Sequence, residues 1–154
     1  ENETHAIIAL IYKAVEKMDP YQIWGDGNQE RDFTYVEDIV DGCLLAAEKQ
    51  IDDGSAINLG TGTRYKIKEV VNMIFEILNW KPKEFVFETD KPVGVLSRAL
   101  DNSKAKQLLG WEPKFTLKDG LAKTVEWYVN THKSAGKIKD DLLLEHQHNK
   151  QSRI

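Results

Sequence analysis

Apolar residues recur at three- and four-residue steps at Ile8, Ile11, Val15 and Met18, which predicts a helix over residues 4–18 with one buried stripe. Asp19-Pro20 ends it, because proline disfavours helical angles in the residue before it. YQIW (21–24) reads as a short strand, GDG (25–27) as a tight glycine turn, and DFTYV (32–36) as a second strand-like piece. Ile39, Val40, Cys43, Leu44 and Ala47 mark a helix from about 36 to 49, closed by IDDG, and this spacing makes Cys43 a core residue. SAINLG (55–60) reads as a strand apolar on both faces, with TGT as its exit turn.

Farther on, Ile67, Val70, Val71, Ile74 and Leu78 define a third helix, stopped near Trp80-Lys81-Pro82. EFVFE (84–88) alternates like a strand with one solvated face, DKPVGV is a proline-glycine loop, and SRALD a short extended run. NSKAKQLLGW predicts a short helix with Asp101 as N-cap and Gly110 as its stop. Thr116 and Asp119 resemble a capping box for a last helix over 117–132. The interleaving of helices and strands is a mixed α/β pattern over residues 1–133, and residues 134–154 read as a polar tail.

The totals narrow the function. A chain of 154 residues can build a real core, and 41% hydrophobic with 30% charged residues is a globular balance. A net charge of −4 argues against a nucleic-acid-binding surface. The apolar runs are too short for a membrane span. A single cysteine fits a reducing, cytoplasmic setting. The four histidines show no metal-ligand spacing, so no metal is expected. The chain opens without methionine, directly on an amphipathic helix, and is read as a piece of something longer.

Chemistry concentrates at IWGDGNQERDF (23–33) and SRALD. Arg31 beside Glu30 and Asp32 has two readings: a surface ion-pair partner, or a guanidinium that grips phosphate bidentately. Arg98 has the same two. Trp24 is a core residue or a flat platform beside a ligand. LGTG (59–62) lacks the Gly-x-Gly-x-x-Gly-then-helix arrangement that cradles a dinucleotide. Each of the five tyrosines lacks a lysine four residues on, so the acid–base pair of hydride chemistry is missing and no catalytic or cofactor-binding residue is assigned.

GDGNQERDFTYVEDIVDGCLLA, INLGTG and KPVGVLSRALDNSKAKQLLGWEPKFTLKDGLAKTVEWY, in that order, resemble the C-terminal half of an extended short-chain dehydrogenase/reductase, the nucleotide-sugar epimerase, dehydratase and reductase family. The spacing from Trp24 to Arg31 and the KPxG loop are most similar to the GDP-fucose synthase branch. The resemblance implies a substrate-binding lobe whose Rossmann half is missing, with NAD or NADP bound only in the full-length enzyme and elements such as INLGTG packing on that absent half. It also implies a nucleotide-diphosphate sugar as partner, bordered by Trp24 and flanked at its diphosphate by Arg31 and Arg98. Val93 and Ser97 stand where that branch carries charged and basic residues, which leaves the base open. A non-enzymatic nucleotide-sugar-binding or interaction module is the alternative. The fragment alone is expected to be inactive, and to dimerise or self-associate through faces that the missing half would cover.

Overall fold

The computed structural model describes residues 6–51 and 54–134; the remainder of the expected tail lies outside them. In chain order the elements are α1 (Ala6–Val15), β1 (Tyr21–Trp24), β2 (Glu30–Arg31), α2 (Val36–Glu48), β3 (Tyr65–Lys66), α3 (Ile67–Leu78), β4 (Phe85–Glu88), α4 (Ser103–Leu109) and α5 (Leu117–Ser134). The structure is a mixture of helices and short strands.

The main core follows the predicted stripes. Leu10, Ile11, Ala14 and Val15 of α1, Tyr21 and Ile23 of β1, and Val70, Val71, Ile74 and Phe75 of α3 pack with Leu121, Val125, Tyr128 and Val129 of α5. Each such aliphatic side chain contributes roughly 1.5–3 kcal/mol by leaving water. The Tyr21 hydroxyl, buried here, donates to the carbonyl of Leu10 at 2.7 Å, which satisfies a group that burial would otherwise penalise. A second, smaller cluster joins Ala105, Leu109 and Trp111 to Leu45, Ala46, Ile57 and Leu59.

The strands are short and their pairing is local. β1 and β4 run parallel, Tyr21 opposite Phe85 and Trp24 opposite Glu88. The Asp19 carboxylate accepts from the N–H groups of Lys83 and Glu84 and so fixes the start of β4 beside β1. β2 and β3 pair antiparallel, Glu30 opposite Lys66 and Arg31 opposite Tyr65. On its other side Glu30 makes a parallel bridge with Ser97.

Four expectations are corrected. DFTYV is not a strand: pairing is confined to Glu30 and Arg31, because Asp32 turns its carboxylate to another loop and Val36 already begins α2. SAINLG forms no strand either. It is held by side chains, Asn102 donating to the Gly60 carbonyl and Lys104 to that of Ala56, while Ile57 and Leu59 rest on the smaller cluster. α2 turns a different face inward: Asp38 and Gly42 are buried, whereas Cys43 is exposed. Gly42 is what lets that face approach, since a Cβ there would lie 2.6 Å from the Leu59 side chain. The N-cap of α4 is Asn102 rather than Asp101, whose carboxylate instead accepts from Ser103 N–H two residues on.

Candidate functional site

The glycine turn that follows β1 is built for close approach. Gly25 and Gly27 have φ of +75° and +74°, values that L side chains rarely adopt. A Cβ on Gly25 would come within 2.5 Å of Val93 Cγ1, so the turn accepts the 91–96 loop only because it carries no side chain there. Within the turn the Asp26 carboxylate accepts from both the backbone and the side chain of Asn28, at 2.9 and 2.8 Å. These bonds, the side-chain one first, hold the Asp26 carboxyl below the usual carboxylate range. Gln29 Nε2 donates to the Trp24 carbonyl at 2.8 Å and ties the two limbs of the turn together.

Arg31 anchors the facing loop. Its guanidinium donates to the carbonyls of Glu30 and Val95, both at 2.7 Å, and of Val93 at 2.6 Å. This replaces the ion pair that adjacency to Glu30 and Asp32 had offered: Glu30 Oε2 accepts from the Ser97 hydroxyl at 2.8 Å, and Asp32 faces Thr61, Gly62 and Leu100. The loop is fastened at the backbone as well, Glu30 N–H donating to Leu96 and Arg98 N–H to Glu30.

That fastening decides which candidates meet. Pairing Glu30 with Ser97 in parallel brings Arg31 and Arg98, the next residue on each segment, to neighbouring positions. Arg98 is exposed and Arg31 half-buried. Trp24, 51% exposed, lies on the other limb of the turn and is not a core residue. The arginines and the ring therefore border one turn and one loop, the arginines as neighbours and the ring across the turn from them. Neighbouring backbone positions on one face give both arginine side chains access to a single anion such as a phosphate, which a guanidinium binds through paired N–H groups.

Spacing alone did not single out Asp32 and Asp38. Asp32 connects three segments around the arginines. Asp38, 1% exposed, accepts from the N–H groups of Lys114 and Phe115, while its own carbonyl accepts from Trp111 Nε1 at 2.8 Å. The signal for Asp38 was an acidic residue on the inward side of an amphipathic helix, a place that demands partners.

A mostly apolar groove of about 500 Å3, walled by Phe33, Tyr35, Phe115, Leu117 and Trp127, lies apart from the arginines. Lys123 stands over its Phe115 ring at 5.2 Å. Neither Arg31 nor Arg98 lines it.

At the LGTG turn the N–H groups of Thr61 and Gly62 donate to the Asp32 carboxylate and are taken up within the chain. The start of α3 is likewise taken, the Glu69 carboxylate accepting from Lys66 N–H at 2.9 Å. No metal-binding group of His, Cys, Asp and Glu occurs among the described residues, and no helix among them is long and apolar enough to cross a membrane.

Comparison with known proteins identifies the lineage. The family model of GDP-mannose 4,6 dehydratase matches residues 1–124. A putative GDP-L-fucose synthase 2 of Arabidopsis thaliana is 35% identical over 130 residues, which cover 82% of this chain and 39% of that protein. Among solved structures, UDP-glucose 4-epimerase of Thermotoga maritima, crystallised with UDP-glucose, superposes with a TM-score of 0.75 at 32% identity, over 84% of this chain and 41% of that one. UDP-glucuronic acid 4-epimerase of Bacillus cereus, in complex with UDP-glucuronic acid and NAD, gives 0.76 at 30% identity over 85% and 41%. The chain thus spans about two fifths of the length of the proteins it matches. It belongs to the GDP-mannose 4,6 dehydratase family of extended short-chain dehydrogenase/reductases, with relatives of the GDP-fucose synthase kind.

Proposed function

We propose that this chain is the substrate-binding part of a longer NAD(P)-dependent enzyme that remodels the sugar of a nucleotide-diphosphate sugar, and that it grips the diphosphate. The observation that carries the reading is the placement of Arg31 beside Arg98 at the glycine turn, through the Glu30–Ser97 bridge. A diphosphate carries about two negative charges, and a pair of guanidinium groups supplies both the charge and the donors it needs once it leaves water. The Trp24 ring, exposed at the far side of the turn, offers an apolar face to the rest of the ligand. Relatives whose names carry GDP-sugars and structural neighbours whose titles carry UDP-sugars support the substrate class.

In this reading the chain contributes binding and orientation, while the dinucleotide and the acid–base pair belong to the remainder of the enzyme. The 154 residues by themselves bind no NAD(P) tightly and turn over no substrate. Calorimetric titration checks this: heat corresponding to micromolar NAD(P) binding by the 154-residue chain overturns the division of labour.

The two arginines give a second test in the full-length protein. Arg98→Ala removes a cation and leaves its backbone bond in place, so it is the cleaner variant; Arg31→Ala also releases the loop carbonyls of Val93 and Val95. Each is expected to weaken nucleotide-sugar binding about tenfold to a hundredfold, with NAD(P) affinity unchanged. Unchanged nucleotide-sugar affinity in Arg98→Ala returns that arginine to the surface.

A further inference from the structure

The most fully bonded side chain at this site belongs to neither arginine. Asp32 stands directly after Arg31, and its carboxylate accepts four hydrogen bonds from segments remote in sequence. Oδ1 takes the Thr61 hydroxyl at 2.5 Å and the Thr61 N–H at 3.2 Å; Oδ2 takes the N–H of Gly62 at 2.9 Å and that of Leu100 at 3.2 Å. Four donors fill the lone-pair positions that a carboxylate offers. That occupancy separates Asp32 from an acid–base role, since no position is left for a reacting proton.

The donors lie where they restrain Arg98. Leu100 is two residues beyond it, and on the other side Arg98 N–H donates to the Glu30 carbonyl at 3.2 Å. The 60–62 turn is locked to the same place from behind: a Cβ on Gly60 would lie 3.0 Å from Asp32 Oδ2 and 2.5 Å from Leu100 Cβ. Asn102 Nδ2 adds a bond to the Gly60 carbonyl at 2.9 Å. Residues 30–32, 60–62 and 97–102 thus form one block, with the Asp32 carboxylate at its junction.

We propose that Asp32 is a positioning residue of the substrate site, holding the 97–100 segment so that Arg98 stands at a fixed separation from Arg31. The inference rests on the reading of the two arginines as diphosphate ligands. A diphosphate presents its charges at a set spacing, so the cations serve it together only if their own spacing is held. Hydrogen bonds to an ionised acceptor are about twice as strong as neutral ones, which suits a carboxylate to this task better than an amide. Asp32→Asn keeps the size of the side chain but turns an N–H group toward backbone N–H groups that need an acceptor.

Two measurements on the full-length protein test this. The first is hydrogen–deuterium exchange resolved to single amides in Asp32→Asn. The Arg98 amide, whose bond goes to Glu30 and not to Asp32, is expected to lose about tenfold in protection while Val71 and Ile74 of α3 keep theirs. Unchanged protection at Arg98, or an equal loss at Arg98 and in α3, overturns the proposal. The second is a double-mutant cycle with UDP and GDP as the probes, using Asp32→Asn, Arg98→Ala and the pair. Each single variant is expected to weaken the nucleoside diphosphate bound by wild type about tenfold, and the pair no more than about threefold beyond the weaker single. Fully multiplying losses overturn the proposal even if the exchange result agrees. If Arg98→Ala leaves both affinities unchanged, it is the diphosphate reading that fails, and the exchange at Arg98 alone decides whether Asp32 positions it.

Discussion

Asp26 shows how a single side chain can report on the turn it closes. Its carboxyl is held below the usual range because the side-chain amide of Asn28, and then its backbone N–H, donate to the carboxylate. A folded-state value below the unfolded one contributes stability that is present above the ordinary carboxylate value of about 3.9 and is lost as pH falls through the folded value. Carbon-detected NMR titration of Asp26 is therefore expected to show a midpoint below that value, and Asn28→Ala, which removes the side-chain donor but keeps the backbone one, to move it part of the way back. An unmoved midpoint in Asn28→Ala would place the cause elsewhere. Asp38 is the buried counterpart. Asp38→Ala strands the N–H groups of Lys114 and Phe115 and is expected to cost about 2–5 kcal/mol in urea unfolding, with Asp38→Asn, which keeps one acceptor, in between.

Among the elements, the glycine turn and the helix ends obey different rules. Gly25 and Gly110 share nearly the same φ, +75° and +69°, yet a Cβ on Gly25 meets Val93 at 2.5 Å while one on Gly110 meets nothing within 4 Å. Gly110→Ala then carries only the backbone strain, roughly 1 kcal/mol, and Gly25→Ala adds a clash of about 1–3 kcal/mol. Chemical denaturation of the two variants checks the difference, and equal costs would mean that the Val93 loop simply moves aside. The helix ends were harder to read. α1, α2 and α3 close on left-handed Lys17, Gln50 and Asn79, with bonds from Met18 to Lys13, Ile51 to Ala46 and Trp80 to Phe75. Lysine and glutamine announce no such turn in a sequence, whereas Gly110 did. Hence α1 stops at Val15, three residues short of its expected end at Met18.

For the whole molecule the informative feature is an uncovered face. Val36, Val40 and Leu44 of α2 are 62%, 49% and 57% exposed, and Cys43 is exposed beside them. They form one stripe of a helix with no cover among the described residues, on a chain that spans about two fifths of its relatives' length. Apolar faces of this kind drive association. The 154-residue chain is expected to self-associate in sedimentation, and Val40→Lys with Leu44→Lys to shift it toward monomer without loss of cooperative unfolding. A clean monomer at high concentration in the wild-type chain would show that this face needs no cover.

The sequence by itself determined the helices whose apolar stripes are strong, the β1 and β4 strands, the capping box in which Asp119 N–H donates to Thr116 Oγ1 and the Thr116 hydroxyl to Asp119, and the lineage. All of these depend on neighbours within a few positions or on ordered motifs. Tertiary structure alone decided which face of α2 turns inward. Both faces carry apolar residues, and the choice fell to Gly42, which admits Leu59, and to Asp38, which needed Lys114 and Phe115 as donors. It also decided the company of Arg31. Local spacing offered the adjacent carboxylates, but the guanidinium found carbonyls more than sixty residues away, and Asp32 found donors in two other loops. A strand such as SAINLG exists only where a neighbour supplies its ladder, and the described residues offered it side chains instead. Periodicity is written along the chain; the pairing of a buried carboxylate or a second arginine is settled only when distant segments meet.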